Sequence, residues 1–229
     1  MNASTEFRIK PGTVFPLKCL LFASGSAVGL LVVRILLTHR LQHLYLPWNL
    51  FLAWIPLLLA LVLGSWSEIG RTRHWKFYAA VFGWLIFFPN APYIFTDLVH
   101  LKSYHGGIFW ADLVLIFLFA LIGLGLGFFS LHLVHGIAAR AWSRRVGWVF
   151  ASVATALSGL GIYIGRFLRW NTWDILLNPF GLLRDMATWT SQPAPLIYST
   201  LFATFLFLAY LMFHAFTYLN PIEPPTEQK

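Results

Sequence analysis

The chain has 229 residues, of which 59% are apolar and only 10% charged, with a formal net charge of +8. Soluble domains carry roughly 25% charged residues, so too little polar surface is available here for a sizeable soluble domain. The Lys and Arg are scattered singly between apolar runs rather than gathered in a stripe with aromatics, which argues against nucleic acid and fits juxtamembrane positions.

The N-terminal segment 1–16 is mixed and mildly basic, and the first long apolar run follows it. No small-x-small cleavage site comes after that run, so it reads as a retained first helix rather than a cleaved leader. The single cysteine, Cys19, lies inside it, which excludes an internal disulfide and a multi-cysteine metal site. Six runs have the roughly 18 or more residues that a spanning helix needs. They are Leu17–Leu37, Pro47–Trp66, Lys76–Tyr93, Phe109–His135, Val146–Arg166 and Pro195–Leu219. Trp48, Trp66, Trp75, Trp110, Trp142, Trp148, Trp170 and Tyr218 near the ends of these runs suit interfacial belts. The expected fold is an all-α polytopic bundle: a transmembrane domain over 17–219 and a disordered tail over 220–229.

Of the 16 Lys and Arg, ten fall on the side that holds the two termini and the loops 67–76 and 136–145, and six on the other. This bias predicts both termini in the cytoplasm and a multi-pass protein of a bacterial inner membrane. All four Asp then fall on the outer side and all four Glu on the inner side. The outer loops are longer and richer in Trp, Asn, Asp, His and Tyr, so the working pole is expected to be extracytoplasmic.

The third run ends in Phe87-Phe88-Pro89-Asn90-Ala91-Pro92-Tyr93. Each proline lacks a donor and clashes with the carbonyl four residues back, and Phe88 and Ala91 are expected to leave the α region. A broken third helix follows. It lines a polar cavity, or it is a kink satisfied by Asn90 and a neighbouring helix. Beyond it Tyr93, Asp97 and His100 share one helical face. Asp97 and His100 are expected at the water-facing edge, as an acid/base or metal pair or as members of a structural, interfacial hydrogen-bonded network. His105 and Asp112 lie close enough in sequence to complete a divalent-metal set, although the spacing matches no known signature.

The fifth run closes with Gly161-Ile162-Tyr163-Ile164-Gly165-Arg166-Phe167-Leu168-Arg169-Trp170-Asn171. Gly161 and Gly165 form a small-xxx-small pair for close helix contact. Tyr163, Arg166 and Trp170 recur at helical spacing. Arg166 is expected within ion-pair reach of Asp97, Asp112 or Asp174, because an unpaired charge in hydrocarbon is costly, or, with Arg169, to clamp an anion. The segment from Trp173 to Trp189, interrupted at Asn178-Pro179, reads as an interfacial helix. A Trp-Asn pair occurs at 48–49 and again at 170–171 without any longer repeat. His132 and His214 lie at similar depth. A bis-histidine haem needs such a facing pair, whereas most intramembrane histidines hydrogen-bond across helices. Gly123, Gly125 and Gly127 indicate close packing of the fourth run.

The strings FFPNAPYIFTDLVHL (87–101), WADLVLIF (110–117), SGLGIYIGRFLRWNTWDILLNP (158–179) and WNLFLAWIPLLLA (48–60) resemble a bacterial membrane family catalogued as a domain of unknown function, number 1361. The resemblance implies a multi-pass membrane protein and no particular activity. Three functional classes remain open. One is binding or transport of a small polar molecule or lipid headgroup in an outward pocket of Asn49, Asn90, Tyr93, Asp112, Tyr163, Arg166, Arg169, Asn171 and Asp174. Another is an enzyme acting on a lipid or lipid-linked substrate at the outer leaflet, using Asp97, His100 and an arginine clamp. The third is a structural or assembly subunit. No Walker sequence, GxSxG elbow or HExxH occurs. The topology has a direct test: a cytoplasm-active reporter fused after Lys229 should be active and a periplasm-active one silent, and the reverse would overturn the orientation.

Overall fold

Backbone polar groups find no water in hydrocarbon, so an apolar run that crosses a bilayer satisfies them within a helix. The computed structural model describes residues 11–103, 108–189 and 193–218, and no strand occurs among them. Among the described residues six helical units are long and apolar enough to cross a membrane. Five are α1 (Pro11–Thr38), α2 (Tyr45–Glu68), α5 (Phe109–Ala141), α6 (Arg144–Phe167) and α9 (Pro193–Phe216). The third unit in chain order is composite: α3 (Trp75–Phe87), the single turn α4 (Asn90–Tyr93) and a 3₁₀ helix (Ile94–Ser103). Two short helices, α7 (Asp174–Leu177) and α8 (Pro179–Trp189), lie between α6 and α9. The protein is an all-α multi-pass membrane protein. The tail over 220–229 and His105 lie outside the described residues.

Several helices extend beyond their apolar runs. α1 begins at Pro11 rather than Leu17, because proline in a first turn lacks only a donor that would have no intrahelical partner. α5 continues past His135 to Ala141. α6 starts where the Ser143 hydroxyl accepts the Val146 amide at 3.2 Å, an N-cap.

The central helix is α5. It packs against α1, α2, α4, the 3₁₀ helix, α6 and α9. Leu115, Ile116, Phe119 and Leu126 fill one core with α1 and α2, and Leu131, Val134 and Ile137 fill a second with α3 and α6. Lipid tails are as apolar as these side chains, so close fit and interhelical hydrogen bonds hold the bundle together. The Trp84 indole donates to the Ser130 hydroxyl at 2.7 Å, and the Trp54 indole donates to Ser24 at 3.2 Å.

The third unit is broken at the proline pair, but more gently than the sequence predicts. Phe88 keeps helical torsions of −55° and −40°, and so does Pro89 at −58° and −24°. The interruption lies in the hydrogen-bond pattern. The Ala91 amide reaches Phe88 at 3.2 Å instead of Phe87, and the Asn90 side-chain amide takes the vacated Phe87 carbonyl at 2.9 Å. One side chain thereby repairs the ladder and lets the chain tighten into a 3₁₀ helix.

This turn is wedged between glycines of two helices. A Cβ on Gly123 of α5 would meet the Ala91 carbonyl oxygen at 2.6 Å, and one on Gly127 would meet the Ala91 Cβ at 3.2 Å. On the opposite side, a Cβ on Gly161 of α6 would meet Pro89 at 2.8 Å, and one on Gly165 would meet the Tyr93 ring at 3.1 Å. The small-xxx-small pair of α6 therefore packs against the proline turn. Gly123→Ala should lower unfolding stability by about 1–3 kcal/mol, as overpacking does. Gly64→Ala, where a Cβ meets nothing within 4 Å, should cost nothing. Equal thermal midpoints for the two variants in detergent would refute the wedge.

Candidate functional site

Among the described residues two arginine–aspartate pairs, one part-buried and one buried, form near the helix ends on the side of the α1–α2 connection. The first joins Arg166 of α6 to Asp97 of the 3₁₀ helix. Arg166 also donates from Nε and Nη2 to the Thr96 hydroxyl at 2.9 and 2.7 Å, and Thr96 in turn donates to the Tyr93 carbonyl at 2.7 Å. The guanidinium lies over the Tyr93 ring, 4.7 Å from its centroid. Asn49 of α2 donates to the other Asp97 oxygen at 2.9 Å. Both oxygens of Asp97 are thus engaged, and the residue is only 1% exposed. The expected placement of Asp97 at a water-facing edge is corrected: the 3₁₀ pitch turns it inward, where Arg166 compensates its charge.

His100 follows one 3₁₀ turn later, and side chains three apart eclipse in that helix. Its Nε2 lies 3.9 Å from Asp97 and accepts from Arg166 Nη1 at 3.1 Å. Its side chain is 46% exposed. Of the two residues expected as a pair, His100 alone reaches open space.

The second ion pair was not anticipated. Arg34 of α1 grips Asp112 of α5 with two parallel bonds, Nε at 2.9 Å and Nη2 at 3.0 Å. Arg34 also caps the Arg40 carbonyl at 2.9 Å. His43 sits 3.4 Å from the same carboxylate. Burial pushes the His43 imidazole below its ordinary 6.5, outweighing the attraction of Asp112. An edge contact from His43 to Tyr45 (6.0 Å) and a tilted one from Tyr45 to His100 (5.2 Å) link the two charged clusters. A sequence signal for this pair existed: an arginine and an aspartate, each within an apolar run, on the same predicted side.

Beside the first pair lies a cleft of about 830 Å³ between α3 and α6, roofed by the chain after α6. Asn49, Asn90, Tyr93, His100, Arg166, Arg169 and Asn171 line it, as do Trp48, Thr172 and Trp173. Both Trp-Asn pairs converge here. Thr172 donates to Asn90 at 3.1 Å, tying the roof to the proline turn. Leu85, Ile86, Leu157, Leu160 and Ile164 form the apolar part. Three residues expected in the pocket lie elsewhere. Asp112 is held by Arg34. Tyr163 stacks on Phe167 at 4.6 Å and on Tyr198 of α9 at 6.5 Å. Asp174 closes a local turn, accepting the Asn171 amide at 2.7 Å.

The histidines at the other end of the bundle pack together. His132 and His214 are in hydrogen-bond contact at 3.3 Å, and His135 bonds the Tyr210 hydroxyl at 2.7 Å. These contacts have the form of hydrogen bonding across helices. For the metal set, Asp97 and Asp112 are engaged by different arginines, and among the described residues no group of three His, Cys, Asp or Glu is placed so that it could hold a metal ion.

Breaking one side of a buried ion pair costs about 3–5 kcal/mol, whereas replacing both partners by apolar groups is often neutral. Asp112→Asn should therefore lower the thermal midpoint sharply, and Arg34→Met with Asp112→Leu should restore most of the loss. Additive losses in the double variant would refute the pairing.

No curated protein and no solved structure matches the chain. One family model does match, over residues 48–212, and its description is Protein of unknown function (DUF1361). That stretch contains most of α2 through most of α9, and with them both charged clusters save Arg34 and His43 and the whole lining of the cleft. The chain belongs to the DUF1361 family.

Proposed function

We propose that the protein binds or transports a small polar molecule or a lipid headgroup in the cleft between α3 and α6. One observation carries this reading: a single cleft of about 830 Å³ combines a polar wall near the helix ends with an apolar wall farther along α3 and α6. The volume lies in the range of roughly 300–1,000 Å³ typical of small-molecule sites. Its polar side chains belong to segments that the Lys and Arg distribution assigns to the extracytoplasmic side of a bacterial inner membrane, with both termini in the cytoplasm.

An enzyme acting on a lipid or lipid-linked substrate at the outer leaflet is the second reading. The observation behind it is the half-exposed His100 at the cleft rim, positioned as an acid/base group. Asp97 would then act on it through Arg166, as a positioning residue.

The test is co-purification. Wild type and Ile164→Trp, which fills the apolar part, are purified in mild detergent, and bound molecules are identified by mass spectrometry. A species enriched over the bulk membrane extract should accompany the wild type and be depleted several-fold in the variant, at an unchanged thermal midpoint. Equal amounts in both would overturn the cleft as the binding site. Turnover of that species by wild type but not by His100→Gln would assign the enzyme reading instead.

A further inference from the structure

Among the described residues two arginines line the cleft and no Asp or Glu does, but the two arginines are not equivalent. Arg166 is neutralised by Asp97, and its donors are engaged by Thr96, Asp97 and His100. Arg169 has neither a hydrogen bond nor an ion pair among the described residues. It also occupies an unusual backbone position. α6 ends at Phe167, the Trp170 amide turns back to the Ile164 carbonyl at 3.4 Å, and Arg169 takes φ +59°. Glycine is the usual residue at such a terminus because a Cβ is strained there. A long cation held in that conformation, at the mouth of a cleft, is the kind of outlier that points to a task.

The donors without acceptors have the same polarity. The indoles of Trp48 and Trp173 stand 6.4 Å apart on the lining, and neither N–H has an acceptor among the described residues. An indole N–H only donates. Three donors thus arrive from three segments: the start of α2, the terminus of α6 and the turn before α7. Donors from separate directions suit a tetrahedral oxyanion better than a planar carboxylate, and arginine is the side chain best matched to phosphate. Below the mouth the wall becomes apolar and opens sideways, where Phe82 is 61% and Leu157 44% exposed.

Resting on the cleft as a ligand site, we infer that its ligand is an amphiphile with a phosphate ester headgroup. Arg169 and the indoles of Trp48 and Trp173 hold the phosphate at the mouth, and the hydrocarbon lies along Leu85, Ile86, Leu157 and Leu160. Arg166 positions this wall and carries the cleft floor, but its charge is already balanced.

The test uses the purified full chain in a neutral detergent and four probes that separate head from tail. These are dioleoyl phosphatidic acid, dioleoylglycerol, glycerol 3-phosphate and oleate, with binding read by native mass spectrometry and by the thermal midpoint. Phosphatidic acid should bind tightest. Arg169→Gln should weaken it about tenfold or more, the scale of a lost charge-assisted hydrogen bond, and should leave dioleoylglycerol unchanged. Arg169→Lys should retain much of the binding. Arg184→Gln, an exposed cation outside the cleft, should match wild type. Equal binding of phosphatidic acid and dioleoylglycerol would overturn the inference while sparing the cleft as an amphiphile site. Equal binding of oleate would overturn the phosphate, and equal binding of glycerol 3-phosphate would overturn the membrane source. If none of the four binds and Ile164→Trp co-purifies the same species as wild type, the underlying cleft reading has failed.

Discussion

The proline turn at Pro89–Pro92, wedged between glycines of α5 and α6, is the constraint on which the rest of this molecule depends. A broken hydrogen-bond ladder inside a bilayer is tolerated only where protein surrounds it. Gly123 and Gly127 let the Ala91 backbone approach α5, and Gly161 and Gly165 let Pro89 and Tyr93 approach α6. With the turn fixed on both sides, the chain beyond it tightens into a 3₁₀ helix. That helix carries Thr96, Asp97 and His100 to Arg166. The cleft lies beside this wedge, between α3 and α6.

Charge placement follows from this geometry. A charge in hydrocarbon requires a partner, and the arginine–aspartate pairs seen among the described residues have different surroundings. Arg34 and Asp112 are 7% and 1% exposed and lock α1 to α5, with His43 completing the contact. Arg166 and Asp97 lock α6 to the 3₁₀ helix at the cleft wall. Since both acidic partners lie behind the lining, the cleft presents donors and positive charge to whatever enters it. In a low-dielectric setting such an arrangement selects for an acceptor more strongly than the same groups do in water.

The ring contacts from His43 through Tyr45 to His100 connect the two pairs. A change at one cluster therefore has a packed route to the other, through side chains that interlock rather than through solvent. The histidines at the opposite end form their own cluster with Tyr210 and Trp148. They brace α5, α6 and α9 where Gly147 permits close approach to His135.

The sequence by itself determined the helical class, the six spans and the interruption of the third. Long apolar runs in lipid have one backbone solution, and two prolines in a helix cannot both be accommodated without changing its bonds. An acidic partner was one of the readings the sequence offered for Arg166, and it named Asn49, Asn90, Tyr93 and Arg169 together as pocket candidates. Which aspartate served Arg166 was not legible. Asp97 and Asp112 lie on the same predicted side, and only the packing of α1 against α5 gives Asp112 to Arg34. Helical spacing placed Tyr163 with Arg166, but α9 captures it through Tyr198. The burial of Asp97 depended on the 3₁₀ pitch, which arises from how Asn90 repairs the ladder and not from residue spacing. The union of the two Trp-Asn pairs at one cleft depended on the turn after α6 folding back over the proline segment through Thr172 and Asn90. Span identity rests on local transfer free energy, which a sequence states directly. Partner choice and cleft shape rest on which helices touch, and only the tertiary structure decides that.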